Sequence, residues 1–114
     1  MITLDDFKKL EIRIGKVVLA EKVPEADKLL RLMIDFGPET RQIISGIALS
    51  YPDPSVLVGK LLPVLTNLEP RTIRGLESQG MVLAASLPDT SAGGEAGPII
   101  LQPEREVPAG SEVK

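Results

Sequence analysis

Leu30, Leu32, Ile34 and Phe36 alternate with Arg31, Met33 and Asp35, the two-residue period of a half-buried strand. The same habit recurs on both sides. From Glu11 to Lys22, the residues Ile12, Ile14, Val17, Val18 and Leu19 predict a long β-branched strand, whose alternation is disturbed near Gly15 as a bulge or strong bend would do. Thr3 followed by Asp5 and Asp6 reads as an N-cap with an acidic first turn, predicting a short helix over Leu4–Lys9. Val23–Lys28 (VPEADK) is a turn, and Gly37-Pro38-Glu39-Thr40 is a second one leading into a third strand, Arg41–Ser45, which Gly46 ends. Ile47–Gly59, with Pro52 and Pro54, predicts a loop with one or two short helical turns. Lys60–Leu65 is the fourth strand, with Pro63 implying an edge position or a bulge, and Ile73–Leu76 leading into Met81–Ala85 is the fifth.

Five strands with a helical plug predict a mainly β fold, a five-stranded oligonucleotide/oligosaccharide-binding (OB) Greek-key barrel with short helices. The barrel core spans about residues 8–86 and a C-terminal extension follows over about 87–114. Within that extension Leu87–Gly97 is small and glycine-rich, which predicts a flexible loop, and Pro98–Leu101 (PIIL) is apolar. An apolar segment outside a barrel needs cover from the barrel or from a second subunit, so the extension is a candidate homodimer interface.

At 114 residues the chain is most simply one domain, 1–114, and Met1 with a self-contained set of strands makes a complete protein the expectation. It has no cysteine and no histidine. Disulfides, thiolate metal sites and the commonest general base are therefore absent, and no paired-carboxylate spacing or phosphate-binding glycine loop replaces them. The expectation is no enzyme, no cofactor and no metal. No apolar run reaches membrane-spanning length, and the N-terminus lacks an export-signal core, so a cytoplasmic protein without membrane contact is expected. Net charge is −3, which argues against indiscriminate binding to nucleic acid. Yet residues 1–77 hold 11 cations and 11 acids while 78–114 hold two and five, so the excess acidity belongs to the last third.

The stretch Asn67–Ala85 (NLEPRTIRGLESQGMVLAA) concentrates polar groups, small residues and cations between two apolar runs. Arg71 and Arg74 offer charge, Asn67 and Ser78 offer hydrogen bonds, and Gly75 and Gly80 permit close approach. A phosphate-bearing partner suits that set, although ordinary turn chemistry accounts for the asparagine and the glycines as well.

Six segments in order resemble the tRNA-binding domain family, found as the C-terminal domain or beta subunit of methionyl-tRNA synthetases and as stand-alone dimers. They are Glu11-Ile12-Arg13-Ile14-Gly15-Lys16, Pro24-Glu25-Ala26-Asp27-Lys28-Leu29, Ile44-Ser45-Gly46-Ile47, Leu57-Val58-Gly59-Lys60, Asn67-Leu68-Glu69-Pro70 and Ser78-Gln79-Gly80-Met81. Pro108–Lys114 resembles the family's closing segment. Glu11 stands where aspartate is usual and Val23 where histidine often precedes the proline.

The resemblance implies a non-catalytic module that binds tRNA by shape, acting with or as the beta subunit of a methionyl-tRNA synthetase. Sparse aromatics agree with structured RNA rather than a stacked single strand. By family position the RNA-facing residues are Lys28, Arg41, Ser45, Asn67, Arg71, Arg74, Ser78 and Met81. Each has a structural alternative. Lys28 and Arg41 suit phosphates or plain solvation, Arg74 suits a phosphate or an ion pair with Glu77 or Glu69, Asn67 and Ser78 suit sugar hydroxyls or backbone groups, and Met81 suits a ribose face or the core. A branch of the same family, dimeric export-related chaperones of unfolded polypeptides, supplies the alternative function.

Overall fold

The computed structural model describes residues 1–87 and 97–114. Strand β1 (Ile12–Val23) is the axis of the fold, because its first half pairs with β4 (Leu61–Leu65) and its second half with β2 (Ala26–Asp35), both antiparallel. Strand β3 (Thr40–Ser45) continues the meander from β2, and β7 (Met81–Val82) pairs with β4, giving the order β3-β2-β1-β4-β7. The alternation is faithfully used: Leu30, Leu32 and Ile34 are fully buried, and with Val17, Ile43, Leu57, Leu62 and Val64 they form the core. The expected mainly β architecture forms, with short helices and a C-terminal extension.

The predicted helix is confined to α1 (Leu4–Phe7), capped by Thr3 and Asp6 reciprocally, and none of its residues is buried. Two 3-10 turns, Ala48–Ser50 and Pro54–Leu57, carry Ala48 and Leu57 into the core as the predicted plug. The bend in β1 differs from expectation. The register slips at Val18, between Val17 and Leu19, whereas Gly15 stays in register opposite Leu62. Gly15 serves packing, because a Cβ there would overlap Ile34 and the Phe36 ring.

Pro63 lies in an interior strand, neither at an edge nor at a bulge. It faces Ile14, whose own N–H and C=O point away from β4, to Ser111 and Gly110. Pro63 still accepts from Leu83 N–H at 3.0 Å but cannot donate in return, which ends β7 after two residues. The chain then leaves the sheet as β8 (Ala84–Ser86), paired with β9 (Pro98–Ile100). This ribbon covers the apolar segment within the subunit: Ile100 packs on the core and its N–H donates to the Tyr51 hydroxyl. Strand β10 (Glu112–Val113) pairs with Ile12 and Arg13 of β1, an element the sequence pattern does not disclose. The predicted flexible loop Leu87–Gly97 falls largely outside the described residues.

Candidate nucleic-acid interface

The segment expected to run as one fifth strand is instead a hairpin, β5 (Arg71–Ile73) against β6 (Leu76–Ser78). Its two-residue turn, Arg74-Gly75, has positive φ at both positions (53° and 79°), as a type I′ turn requires. Cross-strand register places Arg71, Ile73, Leu76 and Ser78 on one face and Thr72 and Glu77 on the other. The first face turns towards the barrel: Ser78 is 1% exposed and Ile73 and Leu76 are half-buried. Arg71 stands exposed at its rim and Arg74 at the hairpin tip. Among the described residues neither arginine makes an ion pair or a side-chain hydrogen bond, so Arg74 is paired with neither Glu77 nor Glu69.

Between this hairpin and the end of β3 lies a groove of about 500 Å³, walled by Leu29, Ile44, Ser45, Gly46, Ile47, Arg71, Ile73, Met81, Val82, Leu83, Ala84 and Pro98. Three of the eight expected residues, Ser45, Arg71 and Met81, meet there. Met81 is 37% exposed and therefore not core. Ser45 is 8% exposed, and its hydroxyl has no hydrogen-bond partner among the described residues. Lys28 is exposed on the edge of β2, where its carbonyl faces Gly46 beside the groove.

Three expected contacts are placed otherwise. Ser78 cannot line a surface: its hydroxyl accepts from Ile44 N–H at 3.0 Å and donates to Gly80 O at 3.0 Å inside the protein. Asn67 is exposed, but its carbonyl accepts from Glu11 N–H (2.8 Å) and its amide donates to Lys9 O (2.7 Å), tying the loop after β4 to the start of β1. Beside it the Glu11 carboxylate accepts from Arg13 Nε (3.0 Å) and Thr66 Oγ1 (2.9 Å), and these bonds, Arg13's first, hold its carboxyl below the usual range. Arg41 is also internally occupied. It pairs with Glu39 at 2.7 Å, donates to Thr66 O (2.6 Å) and Gln79 O (3.2 Å), and lies 5.9 Å from the centre of the Phe36 ring.

Arg41 and Ser78 belong to a clamp that the sequence reading missed. Strands β3 and β7 share no continuous ladder, and the gap between them is bridged by the residues leading into β7. Gln79 N–H donates to Gln42 O (2.9 Å), Gln42 N–H donates to Gln79 Oε1 (3.0 Å), and Gln42 Nε2 donates to Glu77 O (2.9 Å). Gly80 then fits against β4, where a Cβ would press on Leu65 O. The Ser78-Gln79-Gly80-Met81 run therefore ties β3 to the far end of the sheet with its first three residues and reaches the groove with the fourth. The apolar groove wall also went unnoticed, since Leu29 and Ile73 look like core residues until the hairpin is placed.

Ser45, Arg71 and Met81 thus line the groove, while Arg74 at the hairpin tip and Lys28 are exposed outside its lining. The sequence profile of the family described as "Putative tRNA binding domain" matches residues 12–112. Methionine--tRNA ligase of Archaeoglobus fulgidus is 50% identical over 112 residues, 98% of this chain but 16% of that protein, so the chain spans about a sixth of that curated relative. A MetRS-related protein from Pyrococcus horikoshii superposes with a TM-score of 0.85 at 35% identity, covering 100% of this chain and 98% of that one. The chaperone CsaA of Bacillus anthracis also superposes with a TM-score of 0.85, at 31% identity, covering 100% of this chain and 99% of that one. With nearly the whole chain matched in sequence and in fold, this protein belongs to the tRNA-binding domain family.

Proposed function

We propose that the chain is a non-catalytic tRNA-binding module that recognises folded RNA through the groove and the β5–β6 hairpin, in the cytoplasm and alongside a methionyl-tRNA synthetase. The observation that carries this reading is the pair of exposed arginines on one hairpin, Arg71 in the groove lining with Ser45 and Met81 and Arg74 at the tip, neither with an ion pair among the described residues. Guanidinium groups free of internal carboxylates are ready to fork onto phosphates. In this reading Arg41, Asn67 and Ser78 are positioning residues, which fix the barrel and the hairpin rather than touch RNA. The likeness to synthetase sequences supports action with such an enzyme, as a subunit or as a domain of it. A homodimer is part of the proposal, supported by apolar residues left exposed at both chain ends: Ile2, Leu4, Leu10, Leu101 and Val113.

The second reading is a chaperone of unfolded polypeptides, favoured by the likeness to CsaA and by the exposure of Val18, Leu49, Val56 and Val58. Gel-shift titration with bulk tRNA from low to physiological salt separates the two, with single-stranded RNA of matched length and Arg74→Ala as comparators. Saturable tRNA binding that salt and Arg74→Ala weaken is expected. Absence of tRNA binding at low salt would sink the RNA reading in favour of the chaperone.

A further inference from the structure

The groove has a make-up that a duplex surface does not answer. Its lining is largely aliphatic and includes Leu29, Ile44, Ile73 and Met81. Ser45, a residue only 8% exposed, nevertheless turns its hydroxyl to the groove surface, without a hydrogen-bond partner among the described residues. Reachable from the groove and bonded to no protein group, that hydroxyl can donate to or accept from a ligand. Arg71 adds an exposed cation with no ion pair among the described residues. An A-form helix keeps its bases stacked and paired and displays 2′-hydroxyls and base edges, leaving nothing to bury against Ile73 and Met81. An apolar peptide side chain would fill the aliphatic walls but leave the hydroxyl and the guanidinium unanswered.

We infer that the groove receives one unstacked nucleotide of a structured RNA. Its base lies against Met81 and the aliphatic walls, its edge bonds to the Ser45 hydroxyl, and its phosphate sits on Arg71. The volume of about 500 Å³ falls within the roughly 300–1,000 Å³ of small-ligand sites, room for a nucleotide and not for a helix. Because a serine hydroxyl both donates and accepts, any of the four bases satisfies it, and selection is for an extruded base rather than for its identity. This inference rests on the RNA-binding reading and names the RNA feature taken by the same site.

The test uses protein carrying ¹³C-methyl methionine, with the Met81 signal assigned by its loss in Met81→Leu. Three probes are titrated: a stem-loop RNA with an unpaired loop, the same stem as a blunt duplex, and the stem-loop made abasic through its loop. The stem-loop is expected to move the Met81 methyl upfield, by the ring current of a base, and to bind about tenfold more tightly than the abasic probe. Ser45→Leu, which fills the groove and whose folding is checked by its melting temperature, removes that preference. Equal binding of all three RNAs with no Met81 shift overturns the inference and leaves the RNA-binding reading standing. If no RNA binds at low salt, both fall; if an apolar peptide moves the Met81 methyl and RNA does not, the groove is a polypeptide site.

Discussion

Ser78 and Ser45, both buried, carry opposite expectations, and Ser78→Ala is the sharper test. The Ser78 hydroxyl satisfies two backbone groups at once, Ile44 N–H and Gly80 O, from a position 1% exposed. Removing it strands both groups where water does not reach. An unsatisfied buried group costs about 1–3 kcal/mol, so the pair lowers stability by about 2–4 kcal/mol, part of the desolvation being relieved by local relaxation. Against a domain stability of about 5–15 kcal/mol that is a large fraction. At about 4–8 °C per kcal/mol for a domain of this size, the melting temperature falls by roughly 10–25 °C. Urea titration followed by circular dichroism gives the free energy, and amide exchange at Ile44 reports the local opening. Ser45→Ala removes a hydroxyl with no partner and is expected to change stability by less than about 0.5 kcal/mol. A loss below about 0.5 kcal/mol in Ser78→Ala, or equal losses in the two variants, would refute the view that the Ser78 bonds tie β3 to the far end of the sheet.

Gly110 has φ +91° and a Cβ there would overlap the Phe36 carbonyl, so Gly110→Ala should destabilise by about 2 kcal/mol or more and speed amide exchange in β10; unchanged melting would contradict the packing. Arg74 sits at positive φ (53°), and Arg74→Asn should raise stability by up to about 1 kcal/mol while weakening RNA binding, which thermal melting and gel shift measure independently. Glu11 has its folded carboxyl held low by Arg13 and Thr66, so its contribution is present above the ordinary carboxylate value and lost as pH falls through the lower folded one. Stability should therefore drop from about pH 5 downwards, less steeply in Glu11→Gln, and an identical acid profile in that variant would remove Glu11 from the account.

The strands were legible because their alternation is local: Leu30, Leu32, Ile34 and Ile43 each declare a buried face from their neighbours alone. What escaped was set by distant groups. Nothing around Pro63 indicates an interior strand, because its tolerance depends on Ile14 turning its N–H and C=O to Ser111 and Gly110. The Arg74-Gly75 turn was hidden by an arginine at a position that usually takes asparagine or glycine, which made a hairpin look like a continuing strand. Similarly, the polar residues of the interface divided according to partners far along the chain. Arg41 meets Thr66 and Gln79, and Asn67 meets Lys9 and Glu11, whereas Arg71 and Arg74 make no ion pair or side-chain hydrogen bond among the described residues. Residue type marked all four as candidates; only the fold separates the two with partners inside the protein from the two whose side chains stand exposed.

If Arg71 and Arg74 hold RNA phosphates, as proposed, the salt dependence of tRNA affinity shows it when the wild type is compared with Arg71→Gln/Arg74→Gln. Each phosphate contact contributes about 0.7–0.9 to the slope of log K against log salt. The double variant is predicted to bind more weakly with a slope shallower by about 1.4–1.8, while melting no lower than the wild type. An unchanged slope with unchanged affinity would contradict the claim and move the phosphate contacts elsewhere on the protein.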